Sequence, residues 1–230
     1  MIALNFQPLQ GEEVAINNLF GNPEKLIAGN GVDDSDQIQI WDGTAFSVYF
    51  YRAKKTTGFP QFPDGPAWVA QTKMGTVTDK TIKPGSGIWF FRPKDLAPAK
   101  DTLTVSGSVN AAPATHDLLG GLNMISSAFP CDMKLNDGPI NWAECGAIAG
   151  NGVDDSDQIQ VWDGTAFSVY FYRAKKTTGF PQFPAGPAWV SQTSMGTVSP
   201  YAVPAGRGFW YKRPAGAGTG TLLEKSPLAK

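Results

Sequence analysis

The sequence predicts an all-β protein built from two tandem antiparallel modules, each a β-sandwich or a small barrel. Three observations lead there. The stretch "DDSDQIQIWDG" from Asp33 returns as "DDSDQIQVWDG" from Asp154, an offset of 121 (154 − 33). Glycine (26 residues), proline (18) and aromatics (12%) are plentiful, which is the composition of strands and turns. No segment keeps an apolar period of 3.6, whereas several short runs alternate with the period of two that a half-buried strand requires.

The repeat sets the boundaries. The offset holds from Ala28/Ala149 to Pro93/Pro214, and across Ala28–Val77 only Ile40/Val161, Asp64/Ala185, Ala70/Ser191 and Lys73/Ser194 differ. A tandem duplication follows. The first module covers 1–97, a linker covers 98–116, the second module covers 117–214 and a C-terminal tail covers 215–230. Upstream of Ala28 the match is loose, and "LNFQPLQGEE" aligns with "LNMISSAFPC" through their shared "LN". Within each copy, two alternating runs flank Asp42-Gly43, the signal of a two-residue type I′ hairpin. Ile38 and Ile40 share one face. Phe46, Val48 and Phe50 share a face of the next strand, with Ser47, Tyr49 and Tyr51 opposite. "AWVAQ" and "GIWFFR" supply further strands between Pro/Gly turns. In the linker, 102–109 alternates like a strand that either module could own. The tail repeats a lesser version in "GTGTLLEKS", which leaves Thr221, Leu222 and Leu223 as a spare strand able to complete a neighbouring molecule. The competing reading folds each such segment onto its own module.

The bulk numbers exclude some classes. A net charge of −1 and a pI near 5.8 argue against nucleic acid as a partner, because such binding rests on many Lys/Arg–phosphate contacts. No run approaches the ~20 apolar residues of a membrane-spanning helix. "MIALNFQPLQGEE" lacks the basic-then-apolar order of a signal peptide. Cys131 and Cys145 are the only cysteines and form a candidate disulfide. The first half has no counterpart pair, so its fold cannot depend on such a bond.

The second copy reads "GLNMISSAFP", then "DQIQVWDG", then "PAGRGFW", and the first keeps "DQIQIWDG" and "PGSGIW" without the opening. This G-x-N-x-I-S-x-x-F-P, D-x-I-x-V-W-D-G, P-x-G-x-G-F-W pattern resembles a tandem-repeat β-module of exported and cell-surface proteins of Gram-negative bacteria. The resemblance covers most of the chain. It implies export and a surface or extracellular structural role, and it carries no catalytic residues across.

Two constellations are candidate sites. The Gly-rich loops "GNGVDDSD" offer carboxylates at Asp33, Asp34 and Asp36 and again at Asp154, Asp155 and Asp157. Hard cations such as Ca2+ want six to eight such oxygens. The alternative is an Asp-rich turn capping the strand, since the EF-hand spacing is not met. The aromatic loops place Phe59, Phe62 and Trp68, and Phe180, Phe183 and Trp189, among prolines and glycines. Rigid rings there would stack on a glycan or anchor a protein partner, with Tyr49 and Tyr51 beside them. The alternative folds the rings beneath the loop. "YRAKK" reads as a solvated hairpin end. Catalysis has little support: the sole histidine, His116, lies in the linker and no serine or cysteine has an evident base. Asp34 and Asp42 are the carboxylates that a glycosidase reading would pair.

The expected function is a secreted or cell-surface structural or adhesive block, joined head to tail into oligomers or filaments. A pair of carbohydrate-binding modules is the alternative, and a glycan-active enzyme ranks third.

Overall fold

The computed structural model describes residues 2–3, 13–58, 60–93, 95, 102–109, 111–179 and 182–228. It is all-β, with single turns of 3-10 helix and sandwich-like sheets that close no barrel. The first copy contributes β1 (Ile2–Ala3), β2 (Val14–Ala15), β3 (Gln37–Trp41), β4 (Phe46–Arg52), β5 (Ala67–Ala70), β6 (Thr81–Ile82) and β7 (Gly87–Phe91). The second contributes β8 (Ala114–Leu118), β9 (Leu122–Ser126), β10 (Met133–Lys134), β11 (Gln158–Trp162), β12 (Phe167–Arg173) and β13 (Ala188–Ser191). Then follow β14 (Ser194–Val198), β15 (Ala202–Val203), β16 (Gly208–Lys212) and β17 (Gly220–Glu224).

Each copy is organised around one antiparallel sheet. The orders are β1-β7-β3-β4-β5 in the first copy and β14-β13-β12-β11-β16-β9 in the second. Two-stranded pairs β2-β6, β10-β15 and β8-β17 complete the layers. One face of each sheet covers the main core, built in the first copy on Ile16, Ile38, Tyr51, Trp68 and Ile88. Its counterpart in the second copy holds Ile159, Tyr172, Trp189, Phe209 and Tyr211. The opposite face covers a smaller core of Phe50, Phe62 and Val69, or Phe171, Phe183 and Val190. The end of β4 is therefore buried on both faces, and Tyr51 lies in the main core instead of on an exposed platform.

Local chemistry accounts for the hairpins, with one correction. β3 and β4 pair from Gln37↔Phe50 to Trp41↔Phe46, so the loop is the four residues Asp42-Gly43-Thr44-Ala45 and not a two-residue turn. Asp42 closes it, its Oδ1 accepting the Thr44 and Ala45 N–H groups at 2.8 Å each, while Gly43 takes the φ of 104° that a side chain resists. Asp163 repeats the closure in the second copy.

The segments outside the exact repeat are where expectation and structure part. Ile2↔Ile88 and Ala3↔Gly87 are the first-copy versions of Ile125↔Phe209 and Ser126↔Gly208. Ladder register thus equates Ile2-Ala3 with Ile125-Ser126, and the shared "LN" letters misalign the openings. Thr102–Val105 forms no ladder strand. It runs extended along the first module: Thr104 O accepts from Gly21 N at 2.7 Å, Asn22 holds Thr104 N and Thr102 O, and Leu103 and Val105 pack on the first core. Residues 114–116, expected in the linker, begin β8. Finally, Thr221, Leu222 and Leu223 are not spare. They pair with Asp117, His116 and Thr115 of the same chain, and Leu222 is buried. The tail strand finds an intramolecular partner at far higher effective concentration than a neighbour could supply.

Candidate functional site

The Asp-rich loops close on themselves. Asp34 accepts from Asn30 N at 3.0 Å and Gly31 N at 2.7 Å, and Asp155 repeats this with Asn151 and Gly152 at 3.0 and 2.8 Å. Those backbone bonds, Asn151 first, hold the Asp155 carboxyl below its ordinary pKa. A Cβ on Gly29 or Gly150 would run into the Asp34 or Asp155 carbonyl, which explains the glycine before each loop. Asp36 is fully buried and accepts Arg92 as a two-pronged pair, Nε to Oδ1 at 2.7 Å and Nη2 to Oδ2 at 2.6 Å, plus Ile27 N. In the second copy Tyr211 occupies the place of Phe90 (211 − 121), and its hydroxyl donates to Asp157 Oδ2 at 2.6 Å. Arg213 then stands off at 3.8 Å. Burial is the leading influence on Asp157 and pushes its carboxyl pKa up. The expected calcium set therefore does not converge. Asp34, Asp36 and Asp155 spend their oxygens on backbone and arginine, Asp157 Oδ2 takes the Ile148 N–H and the Tyr211 hydroxyl while its Oδ1 makes no hydrogen bond among the described residues, and Asp33 and Asp154 are exposed. No group of three or more His, Cys, Asp or Glu side chains gathers among the described residues.

The aromatic loops are pillars of the core. Phe62, Trp68, Phe183 and Trp189 are buried, so none is placed to meet a glycan; Phe59 and Phe180 lie outside the described residues. Arg52 and Arg173 are buried as well, each guanidinium over the Phe62 or Phe183 ring at 5.2 and 5.1 Å. That corrects the solvated reading of "YRAKK". Arg52 Nη2 also donates to Pro60 O at 2.8 Å.

The tail holds a further buried polar cluster centred on a carboxylate. Glu224 is fully buried, with Oε2 2.9 Å from His116 Nε2 and accepting Ala128 N at 2.8 Å, and with Oε1 2.5 Å from Ser127 Oγ. The carboxylate lies between serine and histidine, so the order of a Ser-His-Asp relay, with histidine next to the hydroxyl, is not met. Its geometry makes it a clasp between β8, the β9 exit and β17. Cys131 and Cys145 are free thiols. Burial, then Glu224 and Asp132, pushes the Cys131 pKa up, and Cys145 Sγ accepts from Leu223 N at 3.2 Å.

Several residues with structural leverage escaped the sequence reading. Asn136 clasps the Trp189 backbone, its Oδ1 accepting Trp189 N and its Nδ2 donating to Trp189 O and Ser199 O. Asn17 does likewise for Trp68 N and Thr78 O. The signal was present as "INN" and "LND", but 119 apart (136 − 17) and so out of step with the repeat. The two copies also meet through tryptophans. Trp41 packs on Trp210 at 5.5 Å, and Trp162 (41 + 121) packs on Trp89 (210 − 121) at 6.3 Å, both edge to face. Phe46 and Phe167 join their respective groups. Each copy offers the other the same patch, the mark of an isologous contact. Trp41 Nε1 adds a bond to Leu122 O at 3.0 Å, and Ser126 N donates to Gly85 O at 2.8 Å.

The described residues also line two notable concavities. One, of about 520 Å³, is lined by Asn136, Asp137, Asn141, Trp142, Tyr172 and Lys225. The other, of about 410 Å³, is lined by the stacked rings of Tyr170 and Tyr201, 4.7 Å apart, with Ser191, Ser194, Thr197 and Ser199 around them. No helix among the described residues is long and apolar enough to cross a membrane. Compared with protein-family models, curated proteins and solved structures, the chain matches none.

Proposed function

We propose that this chain is a secreted or cell-surface structural and adhesive building block that acts by contact with other chains and not by catalysis. The observation that carries the reading is the large apolar ring that the first sheet leaves exposed: Phe91, at the end of β7 opposite Gln37 of β3, is 50% exposed. A rigid exposed ring on a strand is an anchor against which a further chain can pack. The tail pairs with β8 of the same chain, so this reading does not draw on it as the joining strand. Light scattering over a wide concentration range tests the reading. Association that rises with concentration and weakens in Phe91→Lys is expected; a monomer throughout would sink it.

The carbohydrate reading moves to a different place. A stacked tyrosine pair edged by four hydroxyls suits a sugar ring, whose C–H face lies on aromatics while its hydroxyls take polar partners. Lys80 stands in the first copy where Tyr201 stands in the second (201 − 121), so each chain would hold one such site. A glycan array with native protein and Tyr201→Ala tests it, and equal binding by both would remove it.

A further inference from the structure

The two concavities of the second copy lie side by side along its sheet. Tyr172 borders the first and Tyr170 the second, and residues two apart on β12 share a face at a spacing of about 7 Å. Val198 lines both. Asn136 stands between them: it lines the first and donates to the carbonyl of Ser199, which lines the second. The copies differ at this face. Of the four positions that distinguish Ala28–Val77 from its counterpart, three line the concavities: Ala185, Ser191 and Ser194 stand where the first copy has Asp64, Ala70 and Lys73. Ala185 is shorter than Asp64 and Ser194 shorter than Lys73, which makes room, and Ser191 adds a hydroxyl that Ala70 lacks.

The two places offer different chemistry. In the second, Tyr201 stacks on Tyr170 and keeps a part-exposed ring beside serine and threonine hydroxyls. In the first, Trp142 and Tyr172 are buried and packed against Tyr211 and Trp189, so their rings belong to the core. What reaches the opening there is polar. Asp137 and Lys225 are exposed and form no ion pair with each other, and Asn141 Nδ2 makes no hydrogen bond among the described residues. From this arrangement we infer that the two concavities are subsites of one groove for an oligosaccharide of two or more residues. One sugar ring lies on Tyr201, with its hydroxyls towards Ser191, Ser194 and Thr197. The next presents hydroxyls to the Asp137 carboxylate, which accepts, and to Lys225 and Asn141, which donate. The inference rests on the carbohydrate reading and adds a second subsite to it, so that the ligand is an oligosaccharide instead of a single ring.

A glycan array that carries each sugar as monosaccharide, disaccharide and tetrasaccharide tests this on the full chain. Binding about tenfold tighter or more is expected for a di- or tetrasaccharide than for its own monosaccharide. Asp137→Asn combined with Lys225→Gln should bring the longer sugar down to the affinity of the monosaccharide. Asparagine suits the φ of 54° at position 137, so the backbone there is kept. Tyr201→Ala should weaken binding at every length. Equal binding at all lengths, or an unchanged tetrasaccharide affinity in the double variant, would overturn the groove and leave the tyrosine site standing. Loss in the double variant alone, with Tyr201→Ala binding as the native chain does, would overturn the pairing of the two subsites. No sugar bound at any length would remove the carbohydrate reading and the groove together.

Discussion

Asn136 illustrates how much a single side chain outside the exact repeat can decide. Its amide bonds three backbone groups around Trp189, so Asn136→Ala takes their partner from Trp189 N and Ser199 O, while Trp189 O keeps the Ser199 N–H at 2.9 Å. The expected loss is about 3 kcal/mol in urea unfolding, and Asn136→Asp should recover only the bond to Trp189 N. The tyrosines make a pH prediction. All six have hydroxyl pKa values raised above 10.0, burial being the first cause in each. A raised folded pKa means stability that is intact below the unfolded value and lost as pH climbs above it. Stability should therefore fall from about pH 10 upward, with tyrosinate absorbance appearing together with unfolding. Absorbance that rises well before unfolding would contradict the burial. At Cys131 the raised pKa keeps the thiolate scarce, so alkylation at neutral pH should be slow in the native chain and fast in denaturant.

Among the elements, β17 depends most on one carboxylate. Glu224→Ala strips His116, Ser127 and Ala128 N of their common partner in a buried setting. A cost of about 3–5 kcal/mol is expected, with the tail becoming the first site of proteolytic cleavage. Cleavage elsewhere, with the tail still protected, would show that the β8 ladder alone holds it. The hairpins were legible from their alternation and from Asp-Gly, because strand period and turn chemistry are local. Loop length was not, since closure by the Asp42 side chain stretched the expected two-residue turn to four. The faces of β4 were half legible: alternation separates Phe50 from Tyr51 but cannot say that a second small core covers the other side.

For the whole molecule, the reciprocal tryptophans predict coupled modules. The native chain should melt in one calorimetric transition. Trp41→Ala with Trp162→Ala, which removes about 1–2 kcal/mol of ring contact per side, should split it into two. A single unchanged transition would mean that the copies are joined by something other than these rings. The sequence by itself determined the all-β class, the duplication, the strands and the turn residues, because composition, period and self-similarity are properties of neighbouring letters. Tertiary structure alone decided that Asp36 and Asp157 face arginine and tyrosine, that Phe62, Trp68, Phe183 and Trp189 lie inside, and that the tail strand pairs in cis. Those outcomes turn on which distant groups reach each other first in a low-dielectric, close-packed interior, and no local pattern encodes that.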